Sequence, residues 1–188
     1  MLRKKSILTF IIILFFSATG LVANEKLKII ENINNIETLK FNFIQISFNN
    51  KENGICFLKR PHFLKCIYED KKQKELIVNR KNLVIYHKRY NKAYFYPVSK
   101  SYFADILDKK KFENLILDGD LRLNEEIFEI KHSAENKGEI IFFFDKESFN
   151  LSGWQVIDLN GNNTNFKISN LNKNQNLDKK LFNIPIIN

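Results

Sequence analysis

GICFLKRPHFLKCIYED, residues Gly54 to Asp70, is the stretch that decides the fold. Ile55 to Leu58 is an unbroken apolar run, and Phe63 to Tyr68 is a second, mostly apolar one. Lys59-Arg60-Pro61-His62 separates them. Proline has a fixed φ and no N–H to give to a ladder, so Pro61 marks a turn between two strands. The pattern predicts an antiparallel hairpin. Large side chains point both ways along each strand, so both faces of this sheet need cover. The expected cover is a helix on one face and a second sheet or an apolar ligand on the other.

Outward from the hairpin the chain reads as a meander. Thr38 to Asn49 predicts a strand with a phase change. Leu39, Phe41 and Phe43 alternate on one face, then Ile44, Ile46 and Phe48 on the other. Such a shift implies a β-bulge or a strand whose ends are covered from different sides. Strands are expected near 75–79, 82–87 and 92–98, and again at 127–132, 139–145, 153–159 and 164–170, with Asn160-Gly161 as a hairpin turn. This spacing specifies an antiparallel sheet and excludes βαβ units.

Helical spacing appears in two places. Residues 25–36 carry Leu27, Ile30 and Ile33, with Ile29 and Ile36, as one apolar stripe. That stripe suits packing on the sheet, with a bilayer surface as the alternative. Ser101 is a candidate cap for a short helix bearing Phe103, Ile106 and Leu107, and Phe112, Leu115 and Ile116 continue the spacing. Asp118-Gly119-Asp120 reads as a turn, and Leu181 to Ile187 as an apolar tail around Pro185.

Composition bounds the class. The 188 residues suffice for one domain with a real core, and 44% hydrophobic content with 18 Phe and 6 Tyr excludes a disordered chain. Residues 1–23 read as a cleaved secretory signal: Arg3, Lys4 and Lys5, then an apolar run from Ile7 to Phe16, then small residues. Cleavage is placed after Ala23, with Gly20 as the alternative, and an uncleaved anchor is the minority reading. Residues 24–188 are expected to form the single mature domain. The formal charge is +9, and loss of residues 1–23 removes three basic and no acidic residues, leaving +6. Basic excess can signal nucleic acid or anionic lipid. Export and the joint abundance of Lys, Asn, Ile and Phe argue for biased base composition and against nucleic acid. Lys109-Lys110-Lys111 reads as a solvated helix end, with contact to anionic lipid head groups as the minority reading.

No catalytic or metal-binding constellation is legible. His62, His87 and His132 have no Cys or carboxylate at ligand spacing. There is no phosphate loop, nucleophile elbow or zinc pattern. The expectation is a non-enzyme without cofactor or metal. Cys56 and Cys66 fall on the two hairpin strands. A three-residue loop at 60–62 sets them opposite each other and permits a disulfide; a two-residue turn at 61–62 points them to opposite faces. The aromatics either build an ordinary core or line a cavity between a curved sheet and its helices.

The hairpin also carries a family likeness. Gly54-x-x-x-Leu58-Lys59-Arg60-Pro61 with Lys65 and Tyr68 resembles the Gly…Arg-Pro-Gly-x-Φ-Arg-Φ-x-Tyr hairpin of the LolA-like periplasmic outer-membrane lipoprotein carriers. Leu76-Ile77-Val78, Leu83-Val84-Ile85-Tyr86 and Tyr96-Pro97-Val98-Ser99-Lys100-Ser101 follow in that family's order, and Phe43-Ile44-Gln45 resembles its Phe-x-Gln strand. His62 stands where the family has Gly, Lys65 where it has Arg, and Ser101-Tyr102 where it has Thr-Pro. The resemblance implies a mainly β fold with α: an unclosed antiparallel β-barrel, or half-barrel, covered by helices. It implies a monomeric periplasmic chaperone that takes lipoprotein acyl chains from an inner-membrane lipoprotein-releasing ABC transporter to an outer-membrane acceptor. On this basis Phe41, Phe43, Phe57, Leu64, Ile85, Tyr94, Tyr96, Phe142, Phe144 and Trp154 are expected to line the acyl-chain cavity. Leu27, Ile30, Ile33, Lys65, Phe103, Ile106 and Leu107 are expected in the lid, with Lys65 as a latch to lid carbonyls or, alternatively, as a side chain extended from a sheet edge. A sensor or scaffold of the same fold and a lipid- or glycan-directed enzyme are the competing classes.

Overall fold

The computed structural model describes residues 24–48 and 50–187; the expected signal segment 1–23 lies outside them. Helix α1 spans residues 24–34. A first run of strands follows: β1 (Thr38–Ser47), β2 (Asn50–Lys59), β3 (Phe63–Tyr68), β4 (Lys74–Asn79), β5 (Asn82–His87) and β6 (Lys92–Pro97). Helices α2 (Phe103–Leu107) and α3 (Lys109–Asp118) interrupt the strands. The second run is β7 (Asp120–Leu123), β8 (Ile127–Ala134), β9 (Gly138–Asp145), β10 (Leu151–Ile157) and β11 (Asn163–Lys173). One expectation fails here: Asp120, read as part of a turn, opens β7.

All eleven strands form one sheet in the order β6-β5-β4-β3-β2-β1-β11-β10-β9-β8-β7. Strand β1 sits at the centre, antiparallel to both β2 and β11. The two free edges, β6 and β7, are consecutive strands, and α2 and α3 are the chain between them. The sheet is therefore an unclosed antiparallel half-barrel whose gap is spanned by helices. Alternation then sorts the side chains. Ile29, Ile30 and Ile33 of α1, Ile106 and Leu107 of α2, and Phe112, Leu115 and Ile116 of α3 share one core with Phe41, Phe43, Ile130, Phe142 and Phe144 of the concave face. None of the described helices is long and apolar enough to cross a membrane.

The central hairpin has the three-residue loop. Lys59 pairs with Phe63, which sets Cys56 opposite Cys66, and their Sγ atoms are bonded at 2.05 Å. Both cysteines face the core. The outer face of the hairpin is covered, but by neither a second sheet nor a ligand. Phe57 and Phe63 pack there against Leu177, Leu181 and Phe182 of the C-terminal segment. Lys59 Nζ donates to the Leu177 carbonyl and Asn79 Nδ2 to that of Phe182, anchoring the segment to β2 and β4.

The expected phase change in β1 has a different cause from a bulge in that strand. Its pairing with β2 is unbroken from Thr38 to Ser47. The irregularity faces β11, where one extra residue is accommodated between Ser169 and Asn172, and Asn170 adopts a φ of 54°. Ile44 and Ile46 are simply exposed on the outer face.

Candidate apolar-ligand site

Helix α2 is short, and its ends are tied to two different parts of the sheet. At its start, Tyr102 Oη donates to the Gly138 carbonyl at 2.7 Å, and Asp105 forms an ion pair with Lys137. At its end, Arg60 Nη1 donates to the Leu107 carbonyl at 3.4 Å. The Arg60 guanidinium also lies 5.6 Å over the Phe112 ring. Its Nε is buried without a partner among the described residues. Burial holds its pKa down to about 10, against the opposing effects of Glu37 and Asp108. Ser101, expected as the cap of α2, instead donates its hydroxyl to the Val98 carbonyl and closes the preceding turn. Helix α3 has a side-chain cap: Asp108 accepts from the Lys111 amide. Lys109, expected to be solvated, donates to the Asn34 carbonyl at 2.8 Å and pairs with Glu37, joining α3 to the end of α1.

Between α2 and strands β9, β10 and β11 lies a cavity of about 270 Å³. Phe103, Ile106, Ile140, Trp154, Val156 and Phe166 form its apolar wall, and Lys100, Lys137, Asp158 and Thr164 its polar rim. Trp154 stacks on Phe166 at 4.8 Å with ring planes 12° apart, and Phe41 meets Trp154 edge-on. A larger concavity of about 580 Å³ lies on the outer face around Ile44, Ile46 and Phe143. It has no helical cover, so the space beneath α2 is the better candidate.

Of the ten residues expected to line an acyl cavity, Trp154 lines the space beneath α2. Phe41, Phe43 and Leu64 are buried on the concave face, and Ile85 packs half-buried against the same core. Phe142 and Phe144 are buried on that face too, with Phe142 packed 5.0 Å from Phe112 of α3 and Phe144 6.4 Å from Phe142. Three expectations are corrected. Phe57 alternates with Cys56 and Leu58 and so belongs to the outer face, under the C-terminal segment. Tyr94 and Tyr96 point to the concave side but sit on the edge strand β6, beyond which no described strand pairs, and they are about half exposed.

Among the lid residues, Phe103 and Ile106 line the cavity and Leu107, Ile30 and Ile33 are core. Leu27 is exposed, since the buried stripe of α1 runs through Ile29, Ile30 and Ile33. Lys65 is not a lid contact. It lies between Leu64 and Cys66, both core-facing, so alternation sends it to the outer face, where it pairs with Glu75 at 2.9 Å. Arg60, five residues earlier, holds the lid carbonyl. Its position beside the turn proline was the only sequence signal. Tyr102, Lys137, Val156 and Phe166 had none.

A family model matches most of the chain. The model for the outer membrane lipoprotein carrier protein LolA covers residues 34–185. The chain belongs to the LolA family. No curated protein sequence matches it. Among solved structures, an uncharacterized conserved protein from Thermus thermophilus is similar at 11% identity and a TM-score of 0.54, covering 87% of this chain and 94% of that one. MucB is similar at 10% identity and a TM-score of 0.51, covering 88% and 63%; it has also been solved as the Pseudomonas aeruginosa MucA/MucB complex. The LolA superfamily protein NE2245 from Nitrosomonas europaea shares 10% identity at a TM-score of 0.44, covering 83% and 96%. At these identities the Thermus thermophilus protein and MucB share this chain's fold, and nothing finer follows from them.

Proposed function

We infer that this LolA family member is a periplasmic carrier that holds lipoprotein acyl chains beneath α2 while they pass from the inner to the outer membrane. The supporting observation is the apolar cavity walled by Phe103, Ile106, Trp154, Val156 and Phe166 under a helix tied down at both ends. The physical need is plain. Each buried CH₂ is worth ~0.8 kcal/mol, so an anchor with three long chains loses roughly 30 kcal/mol or more on entering water. Passage between two apolar environments avoids most of that cost. The role is non-catalytic, and its partners are an inner-membrane lipoprotein-releasing ABC transporter and an outer-membrane acceptor. Delivery to the periplasm follows from the signal segment 1–23.

A cavity of about 270 Å³ falls just below the usual ligand range of roughly 300–1,000 Å³. It accepts part of one chain as it stands. Full cargo requires α2 to lift, breaking the Arg60 and Tyr102 bonds. Opening the space in this way breaks a few hydrogen bonds, a loss that burial of the chains offsets.

The test uses inner-membrane vesicles loaded with a labelled lipoprotein. The purified protein should release that lipoprotein in soluble form and deliver it to outer-membrane vesicles. If an established carrier releases it and this protein does not, the carrier reading fails. A second reading, a sensor or scaffold of the same fold, draws on the MucB likeness, MucB having been solved bound to MucA. It would show acyl-chain binding without release, together with a stable protein partner.

A further inference from the structure

Residues 76–104 contain six Lys or Arg and no Asp or Glu. They build β5, β6 and the adjoining turns at one free edge of the sheet. Arg80, Lys81, Lys88, Arg89, Lys92 and Lys100 are all exposed, and none of the six is in an ion pair among the described residues. The acids that flank the stretch are engaged elsewhere: Glu75 with Lys65, and Asp105 with Lys137. In the facing turn, Asp70 accepts from the Lys74 amide.

The same edge carries Tyr90, Tyr94, Phe95 and Tyr96, exposed by 54%, 49%, 55% and 47%. Four large aromatics at this exposure on one edge are unlike scattered surface apolar residues. Tyr94 and Tyr96 project to the concave side and Phe95 to the outer side, because they alternate along one strand. A groove of about 320 Å³ between Lys72, His87, Tyr90, Lys92 and Tyr94 offers side-chain donors, and no carboxylate, to a ligand. The Nδ1 of His87 is buried there without a partner among the described residues.

We propose that the β6 edge, with the Lys88–Tyr90 turn, is a docking surface for an anionic phospholipid bilayer. Tyrosine and phenylalanine favour the headgroup boundary, where the ring is dry and a hydroxyl is wet. Flanking Lys and Arg meet phosphate. The groove at Lys72, His87 and Lys92 suits one phosphate group. An added β-strand from a partner protein is the less suitable occupant. Lys92 opens the edge strand and Pro97 closes it, both features that discourage strand addition. From Pro97 the chain leads through the Val98–Lys100 turn straight to the cavity rim at Lys100 and Ser101. Docking at β6 therefore sets the cavity mouth beside the membrane, although the surface stands whether or not the cavity takes lipid.

The purified protein is sedimented with vesicles of phosphatidylcholine alone and of phosphatidylcholine with phosphatidylglycerol. Binding is expected only to the anionic vesicles and should fall at high ionic strength. The Lys88→Gln, Arg89→Gln, Lys92→Gln triple variant should bind on the order of 100-fold more weakly, about fivefold per cation. Phe95→Ser should weaken binding without changing charge. A control of equal charge, Lys110→Gln, Lys111→Gln, Lys146→Gln, should bind like wild type. Equal loss in both triple variants would mean that net charge alone acts, and would overturn the proposal. So would absence of binding to anionic vesicles, or binding of a soluble acidic peptide in their place. Trp154 emission on adding a long-chain fatty acid, measured on the same variants, reports the cavity separately, so failure of docking and failure of the carrier reading are distinguishable.

Discussion

Arg60, in the loop between β2 and β3, donates to the carbonyl of Leu107, the last residue of α2, at 3.4 Å. The pair joins the centre of the sheet to the helix that covers the cavity, across 47 residues of sequence. Replacing Arg60 by Leu keeps an apolar body over Phe112 and removes the bond. Amide exchange over residues 103–107 should then rise about tenfold, the scale of ~1.5 kcal/mol for a hydrogen bond to a charged group. Lys65→Leu should leave that exchange unchanged, because Lys65 faces the other way. Equal protection of wild type and Arg60→Leu would show that Arg60 does not hold the helix.

Tyr102 is the tie at the other end of α2. Burial pushes its phenol up to about 12, from an ordinary value near 10. As the pH rises, the unfolded chain loses this proton before the folded one. The stabilisation is therefore complete below about pH 10 and is lost between about 10 and about 12. Tyr68, raised chiefly by burial as well, contributes in the same direction. Thermal midpoints measured from about pH 8 to about pH 11 should fall above pH 10. Tyr102→Phe should fall less steeply there, and at neutral pH should be about 1 kcal/mol less stable through the lost bond to Gly138.

The Cys56–Cys66 bond closes a loop with a sequence separation of ten. The chain-entropy account assigns such a link about 2.5–3 kcal/mol. The double variant Cys56→Ser, Cys66→Ser should lose about that much in urea denaturation, and wild type with reductant should match it. A difference below about 0.5 kcal/mol would show that the antiparallel register, without the bond, already restricts the chain.

Phe182 is fully buried between the C-terminal segment and the outer face of the hairpin, 5.6 Å from the Phe63 ring. Phe182→Ala should cost about 3 kcal/mol, as expected for emptying an aromatic site. Chemical denaturation measures it. The cavity beneath α2 shares no residue with this cluster, so acyl-chain binding should survive.

Val156 lines the cavity from β10 and is only half buried. Val156→Trp should fill the space and reduce displacement of an environment-sensitive dye by long-chain acyl compounds at least tenfold. Overpacking of this kind costs about 1–3 kcal/mol, so folding is checked first by circular dichroism. Unchanged dye displacement in a folded variant would place the ligand elsewhere.

Local chemistry determined much of this protein. Pro61 and the apolar runs beside it placed the central hairpin, alternation and meander spacing placed eight of the other nine strands, and the Ile29–Ile33 stripe placed α1. The motif order around Gly54 and Arg60 carried the family. These signals are legible because each depends on a few neighbouring residues. What only the tertiary structure decided was which side chains meet. Phe57 and Lys65 read as cavity and latch residues, yet strand parity turns both outward. That parity depends on the count of loop residues at 60–62, where two registers were open. The cavity wall brings Phe103 together with Trp154, Val156 and Phe166, from strands far apart in the chain, and Arg60 meets Leu107 only because the sheet curls beneath α2. Such encounters arise from closing long loops around a common core, and no local pattern in the sequence encodes them.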